Sequence, residues 1–376
     1  MSKSVLVTGV TGQDGANMCE YLLNLNAGIG FHDKAPKEPY SVYGMVRRSS
    51  QINTVNCESF LRDENFHLVS GDLTDSASID KLVKEIQPDY IINFAANSFV
   101  GCSWDMPLHV LDTNAGGVAR FLDSIKKFKH DCRFYSAGSS EEFGDVDYVP
   151  QDMKHPIKPR SPYGASKAAA RHLVKVYRES YGIFAIHGIL FNHEGTKRGE
   201  EFVTRKITKG VAKIYHAVKE NRSFEPIQLG NLSAMRDWSD SEDFVKGVWL
   251  MINQEEPKEY ILASGETHTI SEFVERAFAS AGIKGEWSEA GEDINGQYVK
   301  YPQATKFVDP KSKKAYIEIS EKFYRPAEVN LLMGDPKPAK KELGWRPKTS
   351  FKELVRKMVK HDIEKEDNKS IPLIKG

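Results

Sequence analysis

Short apolar runs alternate with longer amphipathic stretches through the first half of the chain. Runs rich in β-branched residues predict strands, and apolar positions at helical spacing predict helices. The predicted strands cover residues 4–10, 41–47, 66–70, 90–95, 132–137 and 184–191. The predicted helices between them cover residues 17–25, 76–86, 110–128 and 164–181. This alternation is typical of an α/β fold in which helices cover both faces of a parallel sheet.

After residue 195 the pattern becomes less regular. It predicts helices over 202–219, 241–253 and 270–281, a strand over 260–263, and two last helices near 337–343 and 351–364. Residues 284–325 have few periodic signals, so we expect irregular strands or loops there. We therefore predict a dinucleotide-binding domain over 1–194 and a smaller lobe made mainly of 195–376. Segments around 229–263 are expected to return to the first domain.

Composition narrows the possible functions. The 376 residues are enough for two lobes around one site. Lys plus Arg and Asp plus Glu both number 52, so no overall field draws the chain to nucleic acid or to an anionic membrane. The four scattered cysteines form no Cys-x-x-Cys pair, and we predict reduced thiols and no metal site. The N-terminus enters a strand at once and no apolar stretch reaches about 18 residues, so a soluble, cytoplasmic protein is expected.

A glycine-rich turn follows the first predicted strand. Its spacing, Gly-x-x-Gly-x-x-Gly, places Gly9, Gly12 and Gly15 before the first helix. A pyrophosphate binds helix N-terminal amides at this junction in dinucleotide-binding folds. The alternative is a tight turn without a ligand. The position favours a cofactor site, whose predicted residues are Gly9, Thr11, Gly12, Gln13, Asp14 and Gly15.

The ends of the next strands carry further cofactor candidates. The second predicted strand ends in Arg47, Arg48 and Ser49, and cations here suit a 2′-phosphate, whereas an acidic residue suits a free ribose. We therefore predict NADP, with a solvated surface loop as the alternative. Asp72 and Leu73 follow the third strand, where a carboxylate could meet the adenine edge. Ala95 and Ala96 end the fourth strand, where small side chains leave room for the dinucleotide.

Two Tyr-x-x-x-Lys pairs occur, Tyr163 with Lys167 and Tyr215 with Lys219. Only the first has a Ser-x-Glu sequence starting 24 residues upstream, at the end of an apolar run. Pro162 suits a helix start, which would place Tyr163 and Lys167 one turn apart on one face. An ammonium beside a phenol favours the phenolate, so we predict that Lys167 lowers the pKa of Tyr163. The Tyr215 pair is assigned to an ordinary helix face.

The upstream Ser-x-Glu sequence adds a hydroxyl and a carboxylate to this pair. Ser139 ends the fifth strand, where doubly wound folds place ligands, and can hydrogen-bond a substrate oxygen. Glu141 is two residues further on a segment predicted to be extended, so both side chains point to one side. It could remove a proton from a carbon beside a carbonyl, although a surface carboxylate is an equal alternative. Glu142 is predicted to be a surface carboxylate.

With these residues assembled, the chain resembles the extended short-chain dehydrogenase/reductase family, and within it the GDP-mannose 4,6-dehydratases, from the N-terminus to about residue 346. The segments that carry the resemblance are residues 9–15, 47–50, 71–75, 161–167, 188–194, 202–207, 236–238 and 324–329. The resemblance implies a Rossmann-type doubly wound parallel sheet with a smaller C-terminal α/β substrate lobe. It also implies a hydro-lyase that acts on GDP-mannose with NADP.

The resemblance implies an internal redox reaction. Tyr163 takes the C4 hydroxyl proton as hydride leaves C4, Glu141 removes the C5 proton as water leaves C6, and the hydride returns to C6. Ser139 assists at O4, and Lys167 holds the nicotinamide ribose and tunes Tyr163. The implied product is GDP-4-dehydro-6-deoxy-mannose.

The resemblance also assigns binding residues. The implied further cofactor contacts are Tyr163, Lys167, His193 and Arg198. For His193 the alternative is a structural histidine whose ring nitrogens are hydrogen-bonded within the protein. The implied substrate contacts are Ser98, Asn192, Val203, Lys206, Gly230, Arg236, Arg325 and Glu328. For Arg205 and Lys209 on the basic helix, structural ion pairs are preferred. A homodimer or homotetramer is implied, in which the 47–50 loop meets a neighbour.

Three departures from the family pattern keep alternatives open. Ser139 stands where Thr is usual, Phe99 where His is common, and Glu142-Phe143 where Leu-Tyr is usual. The first alternative is a 4,6-dehydratase of another nucleotide sugar, such as a GDP-heptose. The second is a nucleotide-sugar epimerase or reductase, which needs the Tyr and the Lys but not Glu141. A non-catalytic cofactor-sensing module is the third.

Overall fold

Strands and helices alternate along the chain in the computed structural model, which describes residues 2–29, 36, 38–289, 292–294, 298–301, 304–323, 329 and 331–369. The strands are β1 (Ser4–Thr8), β2 (Ser41–Val46), β3 (Phe66–Ser70), β4 (Tyr90–Asn93), β5 (Arg133–Ala137), β6 (Ala185–Leu190), β7 (Asn192–Glu194), β8 (Ile227–Leu229), β9 (Met235–Arg236), β10 (Trp238–Asp240), β11 (Ile261–Leu262), β12 (His268–Thr269), β13 (Glu286–Trp287), β14 (Glu292–Ile294), β15 (Tyr298–Lys300), β16 (Lys306–Val308), β17 (Ala315–Ile319) and β18 (Leu331–Leu332). The α-helices are α1 (Gln13–Asn26), α2 (Ser76–Ile86), α3 (Pro107–Leu111), α4 (Gly117–Phe128), α5 (Pro162–Tyr181), α6 (Val203–Lys219), α7 (Ser241–Ile252), α8 (Ile270–Ser280) and α9 (Phe351–Lys369).

The central sheet has seven strands in the order β3-β2-β1-β4-β5-β6-β11, and every neighbouring pair is parallel. Side chains alternate between its faces: Val5 and Val7 join one apolar core with α1 and α7, whereas Leu6 joins a second core with α2, α4 and α5. The predicted doubly wound parallel sheet is therefore confirmed. The order reverses beside β1, so the carboxyl ends of β1 and β4 flank the crevice where such sheets bind ligands.

A third apolar core lies in the later part of the chain. It joins Ile207 of α6, Phe273 of α8 and Leu354 of α9 to a four-stranded sheet in the order β13-β16-β17-β8. Three of these short strands fall in the 284–325 segment, where irregular strands or loops were predicted. The division at residue 194 stays a prediction; β11 pairs with β6 of the first sheet and α7 packs against α1. Within the described ranges, no helix is both long and apolar enough to cross a membrane.

The predicted helix over 110–128 is helical throughout in the structure, but it contains one turn of a different type. The structure has α3, then one π-helical turn (Asp112–Gly116), then α4. Packing is close where α4 starts, because a Cβ on Gly117 would lie 2.9 Å from the Leu73 Cβ. Asn114 in this turn is buried, accepts a hydrogen bond from the Asn97 N–H (2.8 Å) and donates one to Ser166 Oγ (2.9 Å). The turn thereby ties the end of β4 to α5 beside the cavity described below.

A buried ion pair holds the last helix against α6. The Arg205 guanidinium lies 2.8 Å from the Asp362 carboxylate, and the side chains are 4% and 2% exposed. The Thr208 hydroxyl donates to the same carboxylate (2.7 Å). Burial lowers the pKa of Arg205 and raises that of Asp362, which marks the desolvation penalty of the pair.

Asp362→Leu is expected to lower the free energy of unfolding by about 3–5 kcal/mol, because it leaves the Arg205 charge buried without its counter-ion. Arg205→Met combined with Asp362→Leu should recover stability to within about 1 kcal/mol of the wild type, since both charges are then removed. Denaturant unfolding followed by tryptophan fluorescence measures the change, because Trp238 lies in the apolar core that α6 and α9 share. Lys209→Met, which breaks a partly exposed pair with Glu200, is the control and should change stability by about 0–1 kcal/mol. A double variant as unstable as Asp362→Leu would contradict the argument.

Candidate active site

A cavity of about 830 Å³ opens at the carboxyl ends of β4, β5 and β6 and is closed on the other side by the start of α6 and by Trp238. All four predicted catalytic residues, Ser139, Glu141, Tyr163 and Lys167, line it. So do these other predicted site residues: Asp14, Ala96, Ser98, Asn192, His193, Arg198, Val203, Lys206, Gly230 and Arg236. The lining residues come from positions as far apart in the chain as Asp14 and Arg236, and they meet around one cavity.

The glycine turn at one end of this edge is tightly packed. Gly9 has a φ of +67°, and a Cβ there would lie 3.0 Å from the Ala95 backbone. A Cβ on Gly15 would lie 2.3 Å from the Gly9 carbonyl oxygen. The Gly12 N–H donates to that oxygen (2.9 Å), and Gly12 caps α1 without any side-chain acceptor for the first amides. Thr11 accepts a hydrogen bond from the Asn56 amide through its carbonyl (2.9 Å). Because it is a glycine, Gly12 offers no side-chain acceptor to the amides of the first turn of α1, which suits an anion there.

Asp14 and His193 form a pair where the glycine turn meets the cavity. The His193 Nε2 lies 3.0 Å from the Asp14 carboxylate, and its Nδ1 lies 2.7 Å from the Phe191 carbonyl oxygen. Burial opposes both charges, but their mutual attraction raises the pKa of His193 and lowers that of Asp14. Both ring nitrogens of His193 therefore have partners within the protein, as expected if His193 is a structural histidine. Gln13 donates to Asp14 (3.1 Å), and its buried Oε1 has no hydrogen-bond partner within the described residues.

The candidates after β2 and β3 lie outside the cavity. Arg47, Arg48 and Ser49 are exposed at the end of β2, which pairs directly with β1. Asp72 accepts hydrogen bonds from the Thr74 N–H (2.9 Å) and hydroxyl (2.8 Å), and these bonds, with the nearby charge of Arg47, hold the pKa of Asp72 low. The Leu73 side chain is in the core and can offer a ligand only its backbone. Their role in cofactor binding stays a prediction.

Tyr163 and Lys167 start helix α5 directly beside the end of β5. The Ser161 hydroxyl caps the helix by accepting the Gly164 N–H (3.0 Å). A Cβ on Gly164 would lie 2.5 Å from the Glu141 carbonyl oxygen, so the helix start and the Glu141 backbone are in contact. Lys167 Nζ donates to the Ala137 carbonyl (2.8 Å), and Tyr163 is hydrogen-bonded to Ser139. These contacts bring the predicted phenol, ammonium and hydroxyl together.

The predicted lowering of the Tyr163 pKa is wrong. Burial raises the pKa of Tyr163, the hydrogen bond with Ser139 opposes this, and the charge of Glu141 raises it further. Burial also lowers the pKa of Lys167 to about 8, although the charges of Glu142 and Asp14 oppose that shift. Lys167 lies 5.8 Å from the Tyr163 ring centroid and its ammonium is directed at a carbonyl. Desolvation therefore outweighs the attraction that the sequence suggested.

Two predictions about the carboxylates after Ser139 are also wrong. Residues Ser140–Glu142 form a single turn of 3-10 helix, not an extended segment. Glu141 nonetheless reaches the cavity, because the turn projects it there. Glu142 is fully buried, not on the surface: its Oε1 accepts the Ser139 N–H (2.8 Å) and lies 2.9 Å from His187 Nε2. The Ser-x-x-Glu spacing of Ser139 and Glu142 is a capping-box signature, and it could have identified this arrangement from the sequence.

The opposite wall carries the predicted substrate residues. Asn192 lies in β7 directly after β6, and its buried Oδ1 has no hydrogen-bond partner within the described residues. The Arg198 guanidinium pairs with Glu194 (3.0 Å) and stacks 3.5 Å above the ring centroid of Phe202. Phe99 meets Phe202 edge to face, with centroids 6.0 Å apart. This aromatic wall faces the same cavity as Glu141.

The far end of the cavity is formed by Lys206, Gly230, Arg236 and Phe323. Lys206 lies 3.2 Å from the Phe323 ring centroid, and burial lowers its pKa to about 8, with a further contribution from the charge of Lys322. Gly230 must be glycine here, because a Cβ would lie 2.6 Å from the Phe323 carbonyl oxygen. Arg236 donates to the Met235 carbonyl (2.9 Å). The predicted contacts Arg325 and Glu328 lie outside the described residues.

The residues chosen as non-functional also have clear positions. Lys219 Nζ lies 5.8 Å from the Tyr215 ring centroid, the same spacing as in the Tyr163 pair. Tyr215 nevertheless does not line the cavity and lies on a face of α6. Arg205 and Lys209 of the same helix form ion pairs with Asp362 and Glu200. The assignments of Tyr215 to a helix face and of Arg205 and Lys209 to structural pairs are therefore confirmed.

Comparison with known proteins places this geometry in a family. A sequence profile described as GDP-mannose 4,6 dehydratase matches residues 6–358. A GDP-mannose 4,6 dehydratase of Drosophila melanogaster is 40% identical over 370 residues, covering 96% of this chain and 86% of that protein. The Homo sapiens protein of that name is 39% identical over 367 residues, covering 96% and 91%. Among solved structures, a dTDP-glucose 4,6-dehydratase from Bacillus anthracis in complex with NAD superposes with a TM-score of 0.74 at 20% identity, covering 97% of this chain and 98% of that chain.

Proposed function

Because the chain belongs to the GDP-mannose 4,6-dehydratase family, we propose that it converts GDP-α-D-mannose to GDP-4-dehydro-6-deoxy-α-D-mannose and water. One observation carries the proposal: Ser139, Glu141, Tyr163 and Lys167 converge on one cavity. A dehydrogenase that only oxidises an alcohol needs the phenol, the ammonium and the hydroxyl. The carboxylate of Glu141 is the additional group that an elimination of water requires.

The residues around the glycine turn suit a dinucleotide. The turn is too crowded for side chains at Gly9 and Gly15, and its N-cap residue Gly12 offers the helix amides no side-chain acceptor, which fits a pyrophosphate at the start of α1. The exposed guanidiniums of Arg47 and Arg48 stand after the neighbouring strand, where a 2′-phosphate is recognised. We therefore propose NADP as the cofactor. Its other contacts would be the Asp72 and Leu73 segment, Ala95 and Ala96, and Lys167.

The chain's own groups divide the proton transfers. When bound, NADP takes up a hydride from the sugar and later returns it. Tyr163 accepts the proton of the C4 hydroxyl as the phenolate; burial raises the pKa of Tyr163, and the hydrogen bond with Ser139 opposes that rise. Oxidation at C4 acidifies the proton on C5; the Glu141 carboxylate takes this proton and delivers it to the C6 hydroxyl, which leaves as water. Ser139 holds O4 through its hydroxyl, and Lys167, anchored on the Ala137 carbonyl, supports the cofactor side of the site.

The second lobe supplies the nucleotide side of the proposed site. Arg198 and Arg236 are the cavity-lining guanidiniums suited to a diphosphate, and guanidinium forks bind phosphate oxygens strongly. Asn192, with its buried amide oxygen, faces the sugar. Val203, Lys206 and Gly230 are proposed at the guanosine end, and Ser98 beside the hexose. Arg325 and Glu328 complete the proposed set.

Incubation of the purified protein with GDP-mannose and NADP tests this function. We expect the sugar nucleotide to lose the mass of one water, and nuclear magnetic resonance of the product to show a 6-methyl group and a C4 carbonyl. The cofactor should end in its starting redox state. Retained mass with an inverted centre would instead identify an epimerase, and no change in mass or configuration would overturn the proposal.

A related sugar is the second candidate, because of Phe99. This side chain is 36% exposed and lines the cavity against Phe202, where the family pattern commonly has a histidine. An apolar wall there is compatible with a larger sugar such as a GDP-heptose. Loss of water from a GDP-heptose but not from GDP-mannose would establish that substrate.

Arg47→Ala is expected to weaken NADP binding about 10- to 100-fold and to leave NAD binding unchanged, because only NADP carries the 2′-phosphate. Titration calorimetry on cofactor-free protein measures both affinities. Arg62→Ala, an exposed arginine in the same connection between β2 and β3, is the control and should change neither. Equal wild-type affinity for NAD and NADP, or an unaffected Arg47 variant, would count against NADP.

The proposed assembly follows the family resemblance. We propose a homodimer or homotetramer, in which the loop over residues 47–50 meets a neighbouring copy. Sedimentation velocity distinguishes these states from a monomer. The cytoplasmic location predicted from the N-terminal sequence stays a prediction.

A further inference from the structure

A buried carboxylate and a buried histidine lie directly beneath the turn that carries the catalytic candidates. Glu142 and His187 are both 0% exposed, and Glu142 Oε1 lies 2.9 Å from His187 Nε2. The same oxygen accepts the Ser139 N–H at 2.8 Å. An ionised carboxylate only accepts hydrogen bonds, so the Nε2 of His187 carries the hydrogen in this contact.

The pair fills the space between two strands and the turn. His187 in β6 is in register with Ser136 in β5, and its Nδ1 lies 3.3 Å from the Ser136 hydroxyl. Gly138 lies against both His187 and Glu142, because a Cβ on Gly138 would lie 2.4 Å from His187 Nε2 and 2.8 Å from Glu142 Oε1. The main chain that joins β5 to Ser139 is therefore in direct contact with both members of the pair.

Hydrogen bonds carry this constraint to the groups in the cavity. The Ser139 hydroxyl accepts the Glu141 N–H (3.3 Å) and is hydrogen-bonded to Tyr163. Neither Glu142 nor His187 lines the cavity, so neither can touch the substrate. Replacing both members of a buried charged pair by apolar side chains is often neutral for stability, so stability alone does not account for this pair.

We propose that Glu142 and His187 are a positioning pair that fixes the Ser139 main chain and thereby holds the Ser139 hydroxyl and the Glu141 carboxylate in reacting geometry. The inference rests on the proposed function for its catalytic consequence. Misplacement of a reacting group by about 1 Å can lower a rate about 100-fold, so the pair acts on kcat and leaves the nucleotide contacts intact.

Glu142→Leu and Glu142→Gln separate the hydrogen bonds from the charge. Glutamine keeps an acceptor oxygen for Ser139 and His187, whereas leucine removes it. We expect Glu142→Leu to lower kcat about 10- to 100-fold with KM for GDP-mannose within about threefold of the wild type. We expect Glu142→Gln to keep kcat within about threefold, although it loses the charge that acts on Lys167. Glu142→Leu combined with His187→Leu removes both the Glu142 carboxylate and the His187 donor, so no buried donor of His187 is left unpaired. This double variant should show the same kcat loss. It covers the case where Glu142→Leu alone fails to fold.

Hydrogen exchange of the peptide spanning residues 134–143, without substrate, gives a readout that does not depend on turnover. The Ser139 amide should exchange at least about tenfold faster in the leucine variants than in the wild type and Glu142→Gln. An unchanged kcat in the leucine variants, equal losses in Glu142→Leu and Glu142→Gln, or a KM that rises as much as kcat falls would each overturn the positioning role. A wild-type protein that is inactive on GDP-mannose would defeat the proposed function, and the exchange rates would still decide whether the pair fixes Ser139.

Discussion

Glu141→Gln is expected to lower the turnover of GDP-mannose by about 10²- to 10⁴-fold, the contribution typical of a general acid or base. Glutamine preserves the size of the side chain in the Ser140–Glu142 turn but cannot accept a proton. Tyr163, Ser139 and Lys167 keep their places, so hydride transfer from C4 can still occur. The variant should therefore stop after the first half of the reaction.

Two measurements distinguish this partial block from general damage. Absorbance of the reduced nicotinamide should rise and persist when substrate is added to the variant. Solvent deuterium should no longer enter C5, whereas the wild-type product carries it. Glu85→Gln, an exposed carboxylate on α2, is the control and should behave as the wild type does. Intact turnover in Glu141→Gln would indicate an epimerase or a reductase instead of a dehydratase.

Tyr163→Phe is expected to lower turnover by about 10²- to 10⁴-fold and also to abolish reduction of the cofactor, because the C4 hydroxyl then has no base. The two variants should therefore stop the reaction at different steps. Rapid-mixing absorbance separates them: reduced nicotinamide accumulates in Glu141→Gln and does not form in Tyr163→Phe.

The chain contains a matched control for this substitution. Tyr215→Phe makes the same chemical change in a pair with the same 5.8 Å spacing from its lysine, but on a face of α6 outside the cavity. Its turnover should equal that of the wild type. Cofactor reduction that survives in Tyr163→Phe would require another base at O4 and would contradict the proposed roles.

The parallel sheet could be predicted because its strands are short β-branched runs whose side chains alternate between two apolar cores. The convergence of Ser139, Tyr163 and Lys167 could be predicted as well, since parallel strands bring their carboxyl ends to one edge. The π-helical turn before α4 could not be predicted from periodicity. Its Asn114 is hydrogen-bonded to Asn97 and Ser166, which lie 17 and 52 positions away, and periodicity along one segment contains no information about such contacts.

The pKa shifts in the site were predicted less well than the identity of the residues that line it. The expected effect of Lys167 on Tyr163 used only their spacing, whereas their burial, which depends on the whole fold, determines the direction of the shift. Glu142 was placed on the surface because charged residues usually are. Its partners, the Ser139 main chain and His187, lie 3 and 45 positions away, and only the nearer one leaves a signal in the sequence.

The contact between Gly164 and the Glu141 carbonyl has a consequence for the order of events in the reaction. With 2.5 Å between that oxygen and the position of a Cβ, the helix that carries Tyr163 and the turn that carries Glu141 leave no gap in which one can slide over the other. A movement of Tyr163 relative to Glu141 would therefore require the backbone of the helix or of the turn to shift. Under the proposed function, we therefore expect the hexose to move, and the phenol and the carboxylate to stay in place, as C4, C5 and C6 react in turn.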